Sequence, residues 1–123
     1  MYDKELISEM LQQLEQVICS LLESTKYITD VQELPKSADG MLRLNGICMS
    51  LLIIGEEVNK IDQRSNKQLL SKYPSVPWKN IVGMRNKIVH DYSDVDVDIV
   101  FDTLRTDIVN LLPIVKQIQE DIK

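Results

Sequence analysis

Met41, Leu44, Cys48, Leu51, Gly55 and Val58 recur at spacings of three, four, three, four and three residues. No other feature restricts the fold as strongly, because an α-helix is what brings such positions onto one sustained face. Ile47, Leu52, Ile53 and Ile54 add apolar surface beyond that stripe. This helix is therefore expected to be buried on more than one side, as a central helix or as one that also meets a second subunit. Ser37 is placed to cap its start. Gly55 is costly inside a helix, and the usual compensation is the close approach of another backbone.

The same period governs the two ends of the chain. From about Asp3 to Lys26, Ile7, Met10, Leu14, Val17 and Leu21 form a stripe that Leu11, Ile18 and Leu22 widen. Residues 27–36 read as a connector closed by Pro35, with Ile28 and Val31 able to pack on the core. Near the C-terminus, Val97, Phe101, Leu104, Ile108, Leu111, Val115 and Ile118 share a core face, and Pro113 should kink that helix or sit near a bend. Between these lie a polar stretch, Asp62–Pro77, with a short helix expected around Ser65–Lys72, and one further helix, Trp78–Tyr92. Pro77 suits the first turn of that helix, and Trp78, Ile81, Val82, Ile88 and Val89 supply its apolar contacts. Ser93 and Asp94 break it and can cap the next helix, whose first turn carries Asp96 and Asp98, a charge that suits the helix dipole. Four glycines and four prolines in 123 residues favour long helices. The expected architecture is an all-α, up-and-down bundle of four to five helices, one domain over residues 1–123.

The chemistry concentrates in Trp78–Tyr92, which holds the only tryptophan and the only histidine. Arg85, Asn86, His90, Asp91 and Tyr92 fall within eight residues. Arginine presents a forked donor array suited to phosphate, histidine exchanges a proton near neutral pH, and asparagine and tyrosine add donors and acceptors. The set points to chemistry on a phosphate ester. At about 100° per residue, Tyr92 returns to within about 20° of Arg85, and Asn86 and His90 share a face, but Arg85 and His90 are about 140° apart. They meet on one phosphate through the arginine's length, a distortion near the helix end, or a second subunit. Glu56 and Asn59, three apart, are either solvated positions or neighbours of the site. A purely structural role is the competing reading: Arg85 paired with Asp91 or Glu56, and His90 a satisfied interface residue.

The pattern Arg85-x-x-x-x-His90-x-Tyr92 resembles the HepT-like branch of the HEPN domains. The flanking run Tyr73-Pro74-Ser75-Val76-Pro77-Trp78, then Ile81-Val82-Gly83-Met84-Arg85-Asn86, His90-Asp91-Tyr92 and Asp94-Val95-Asp96, is similar to that family, as is the upstream Ile54-Gly55-Glu56-Glu57-Val58-Asn59. The likeness is dense from about Leu51 to Phe101. These domains are small helical RNases, many of them toxins of bacterial toxin–antitoxin pairs. The resemblance implies an RNA substrate, a homodimer with two motifs facing a shared cleft, and Arg85 and His90 as catalytic residues. Asn86, Asp91, Glu56 and Asn59 would be supporting residues. It also implies a partner, a minimal nucleotidyltransferase of the MNT type acting as antitoxin by transferring AMP to Tyr92. A non-catalytic HEPN module that binds nucleotide or partners the transferase is the alternative.

Charge and composition bound these readings. A net charge of −5 argues against broad coating of nucleic acid but leaves room for a local basic site. Lys79, Arg85 and Lys87 lie close together, opposed in that helix only by Asp91. One histidine and scattered carboxylates form no recognisable metal-ligand set, and the alternating aspartates lack the glycine and final glutamate of an EF-hand loop. Neither a metal nor another cofactor is expected. Cys19 and Cys48 read as buried, reduced thiols. The N-terminus lacks a signal-peptide pattern and the apolar runs fall short of the roughly 20 residues of a membrane span, so no membrane association and a cytoplasmic location are expected.

Overall fold

The computed structural model describes residues 2–123. Five α-helices, Lys4–Thr25 (α1), Ala38–Arg64 (α2), Trp78–Asp91 (α3), Val97–Asp102 (α4) and Val109–Asp121 (α5), account for most of it, and among the described residues no strand forms. The all-α bundle is the expected one. Asp3 caps α1 by accepting from the Leu6 amide, and Ser37 caps α2 by accepting from the Gly40 amide, each satisfying a donor left orphaned by the helix start.

The 27-residue α2 is the central element, packed against α1, α3 and the short 3₁₀ segment Val31–Lys36. Leu44, Ile47, Cys48, Leu51, Ile54, Val58 and Ile61 are buried along it. By length and hydropathy α2 would pass for a membrane span; here its apolar positions instead form the core with Leu11, Leu14 and Ile18 of α1 and Leu104, Leu111, Val115 and Ile118 from the C-terminal end. The surplus on α2 is smaller than its sequence suggests. Leu51 and Ile54 are core residues, Leu52 is half-buried, and only Ile53 of that run is exposed.

Four local expectations need correction. The Ser65–Lys72 helix is only a 3₁₀ turn, Leu70–Lys72. Asn66 and Lys67 both adopt left-handed backbone, φ 57° and 59°, which cannot continue a right-handed helix. In α3, Met84 is buried where Val89 was expected, and Val89 is exposed. The cap of α4 is Asp96, which accepts from the Asp98 amide, rather than Ser93 or Asp94. Cys48 is buried, but Cys19 faces solvent.

At the C-terminal end, α4 and α5 are joined by a π-helical stretch, Thr103–Ile108, so the last helix runs on with a wider turn in it. Pro113 is accommodated within α5 on its exposed side.

Candidate active site

Two antiparallel helices, α2 and α3, build the site. Their register follows from the side chains that meet: Asp62 and Trp78 line one groove, Glu56 binds Arg85, and Asn45 binds Tyr92. Gly55 sets the spacing. A Cβ at this position would land on the Cβ of Arg85 and lie 3.2 Å from the Ile81 carbonyl oxygen. The close approach expected of Gly55 is thus real, and what it admits is the root of Arg85.

The Arg85 side chain is held from both helices. Its Nε donates to Glu56 Oε1, and its Nη1 donates to Asn86 Oδ1 at 2.6 Å. Of the five guanidinium N–H donors, two are engaged in this way and three stay available to an incoming anion. Glu56, not Asp91, is the ionic partner; Asp91 is exposed at the end of α3. Asn86, which holds the guanidinium, lies four residues before His90 and so shares a helix face with it. Because α3 is unbroken from Trp78 to Asp91, no distortion closes the angle between Arg85 and His90. The His90 side chain is exposed and makes no hydrogen bond or ion pair with another described residue, so its imidazole is open to a ligand. Asn59 lines the groove alongside Asn86. Among the described residues no three His, Cys, Asp or Glu side chains converge as a metal site would require.

Tyr92 falls one residue beyond α3, in the 3₁₀ turn Tyr92–Asp94. The residue is 41% exposed, but its hydroxyl turns back to donate to Asn45 Oδ1 on α2. Burial of that end of the ring, and then the neighbouring Cys48 thiol, raise the phenol above its ordinary pKa of 10.0. Burial likewise raises Cys48. The hydroxyl is therefore a protonated donor at neutral pH. Asn45 was not singled out from sequence, although it lies eleven residues, or about three turns, before Glu56 and so on the same face of α2.

Some of the surface around this cluster is apolar. Leu42, Met49 and Ile53 of α2 and Val89 of α3 are exposed; Ile53 lies three residues before Glu56 and Val89 four after Arg85.

Comparison with known proteins places the chain among ribonuclease relatives. The chain is 39% identical over 74 residues to a protein of Caldanaerobacter subterraneus subsp. tengcongensis named "Putative RNase", covering 60% of this chain and 62% of that one. It is 29% identical over 109 residues to a "Putative RNase" of Methanocaldococcus jannaschii, covering 84% and 90%. It is 35% identical over 65 residues to the "Probable ribonuclease HepT" of Thermococcus cleftensis, covering 53% and 56%. The chain thus spans about three-fifths of the length of the first of these relatives. No solved structure gives a significant match. The family described as ribonuclease HepT-like matches residues 7–118, nearly the whole of the bundle, and the chain belongs to that family of all-α HEPN ribonucleases.

Proposed function

We propose that this chain is a toxin-type endoribonuclease that cleaves RNA by internal attack of a ribose 2′-hydroxyl, without a metal ion. The observation that carries this reading is the Arg85 guanidinium, fixed by Glu56 and Asn86 with three donors open, on the same unbroken helix as an unengaged His90. His90 removes the 2′-hydroxyl proton, the oxygen attacks the adjacent phosphorus, and a second acid protonates the leaving 5′-oxygen. The chain has one histidine, so His90 of a second copy is the natural acid. Arg85 stabilises charge gathering on the phosphoryl oxygens, and Asn86 keeps it aimed. Asp91 and Asn59 border the site as supporting residues.

The same surface supports a homodimer. Met49, Ile53 and Val89 leave an apolar margin beside Arg85, and covering it with its own counterpart would bring two His90 side chains to one cleft. The antitoxin is a minimal nucleotidyltransferase of the MNT type. The Tyr92 oxygen attacks the α-phosphorus of ATP, pyrophosphate leaves, and the phenolic proton passes to a base of the transferase. Tyr92 must first release Asn45, and the resulting AMP group adds bulk and a phosphodiester charge about two helical turns along from Arg85, obstructing the path of RNA.

The test is cleavage of RNA by purified protein in the presence of a chelator. Wild type should leave 2′,3′-cyclic or 2′/3′-phosphate ends. His90→Ala should be inactive, and Arg85→Lys strongly impaired because it keeps the charge but loses the fork. Full activity in His90→Ala refutes the mechanism; binding of RNA without any cleavage by wild type leaves a non-catalytic module. Light scattering that finds only monomer at micromolar concentration removes the dimer.

A further inference from the structure

A groove of about 460 Å³ runs from Asn86 toward the start of α3, a size within the range of small-ligand sites. It does not include Arg85 or His90, yet it begins where they end. The Asn86 side chain both accepts from Arg85 and lines the groove. Its floor is apolar, made by Val58, Leu70 and Val82, with Trp78 at the far end. The indole is not loose: its Nε1 donates to the Tyr73 carbonyl oxygen at 3.0 Å, which fixes the ring plane.

Two lysines line the groove in a chain of net charge −5. Lys79 comes from the first turn of α3. Lys67 is carried there by the left-handed turn that ends α2, where its amide donates to the Asp62 carbonyl oxygen at 2.8 Å. Neither ammonium is paired with a carboxylate among the described residues. Asp62 is the one carboxylate lining the groove; it repels phosphate but suits ribose hydroxyls or an exocyclic amine. Gly83 keeps one wall bare, since a Cβ there would meet nothing within 4 Å.

Resting on the ribonuclease reading above, we infer that this groove is a subsite for a nucleotide of the RNA flanking the cleaved phosphate. Its base lies on the apolar floor against Trp78, and its phosphate lies between Lys67 and Lys79. An aromatic platform beside cations is the arrangement by which single-stranded nucleic acid is held without sequence readout. Asn86 joins this subsite to the catalytic arginine, so a strand seated in the groove delivers the next phosphate to Arg85.

The only tryptophan in the chain makes the test direct. His90→Ala protein, used to prevent turnover, is titrated with a single-stranded adenylate ten-mer while Trp78 fluorescence is read. Binding should quench it. In the same background Gly83→Leu, which fills the groove, and Lys79→Glu, which reverses a rim charge, should each weaken binding about tenfold or more. Gly83→Leu replaces a helical glycine with a strong helix former and should melt no lower than its parent, which separates blocked binding from misfolding. Unchanged affinity in both variants overturns the subsite, as does binding of a labelled ten-mer, read by anisotropy, without any quench. Quenching by the nucleotidyltransferase and not by RNA also overturns it and gives the groove to a protein partner. If the quench and both variant effects hold but wild type cuts no RNA, the ribonuclease reading fails and the subsite stands.

Discussion

Replacing Gly55 with alanine should damage catalysis far more than it damages the fold. Two terms act on stability with opposite sign. Removing a glycine from mid-helix is worth about 0.5–1 kcal/mol in favour of the folded state. Against it, the new methyl overlaps the Cβ of Arg85 and crowds its Cγ at 3.1 Å and the Ile81 carbonyl at 3.2 Å, an overpacking that costs about 1–3 kcal/mol. The net change is a loss of about 0–2.5 kcal/mol, at roughly 4 °C per kcal/mol a fall in Tm of at most about 10 °C. The methyl cannot be absorbed by a flexible tip, because what it meets is the base of a side chain and a backbone carbonyl. Helix α3 has to retreat or roll, carrying the guanidinium off its position by about 1 Å, and a misplacement of that size costs about 10²-fold in rate. Gly46→Ala is the matched control. It lies in the same helix, and its Cβ would meet nothing within 4 Å, so it should gain about 0.5–1 kcal/mol and cleave normally. Thermal melts and initial rates on a labelled RNA give both readings. Wild-type cleavage by Gly55→Ala would refute the idea that this notch positions Arg85.

Glu56→Ala should lower cleavage about 10–100-fold through loss of aim, while stability changes by no more than about 1 kcal/mol because the pair is partly exposed. Glu56→Gln, which keeps an acceptor for Nε, should recover most of the rate; equal loss in both variants would instead assign the effect to charge. Tyr92→Phe removes the hydroxyl that donates to Asn45 and should stay folded, retain substantial RNase activity and escape neutralisation. Mass spectrometry after coexpression with the transferase should find AMP-sized additions on wild type only, and the same additions on Tyr92→Phe would move the acceptor elsewhere. The pair formed by Tyr73 and Asp121, 2.5 Å apart, should give stability two pH limbs. Burial, and then Asp121, push the Tyr73 phenol up to about 12 from 10.0, so its contribution is whole below pH 10 and lost between about 10 and 12. Its hydrogen bond, and then that from Gln117, lower Asp121 below 3.8, so that contribution is whole above this value and lost as pH falls through the lowered pKa. Tyr73→Phe should flatten both limbs in melts taken across pH, and two unchanged limbs would exclude the pair as their source.

The core was legible because α-helical burial is periodic. Leu44, Leu51, Val58 and their counterparts in the last helix are buried where their spacing puts them. The ends of elements were harder to read, because they depend on single backbone states. Nothing in the sequence alone announces that Asn66 and Lys67 turn left-handed, and that turn decides both where α2 stops and which lysine reaches the groove. The apolar excess at Leu51–Ile54 was visible as quantity but not as direction, since which residues of a run face inward depends on how many neighbours α2 has. At the site, the residue types of α3 could be read directly. Their partners could not. Glu56 was visible only as a candidate and Asn45 not at all, because both sit on another helix, and only the packing register fixes which side chain stands opposite Arg85 or Tyr92.

That register has a mechanical consequence. Asn45 and Glu56 are eleven residues apart on one rigid helix, about 16 Å along its axis, and each grips α3 or the turn that follows it. A rod fastened at two heights can neither roll nor slide without breaking a fastening. Release Tyr92 from Asn45 and the end of α3 that carries His90 loses its polar tie to α2, and only the buried Ile88 and Met84 still hold that end. Any event that occupies the Tyr92 hydroxyl therefore does more than crowd the cleft: it leaves the orientation of the histidine's end of the helix to apolar packing alone.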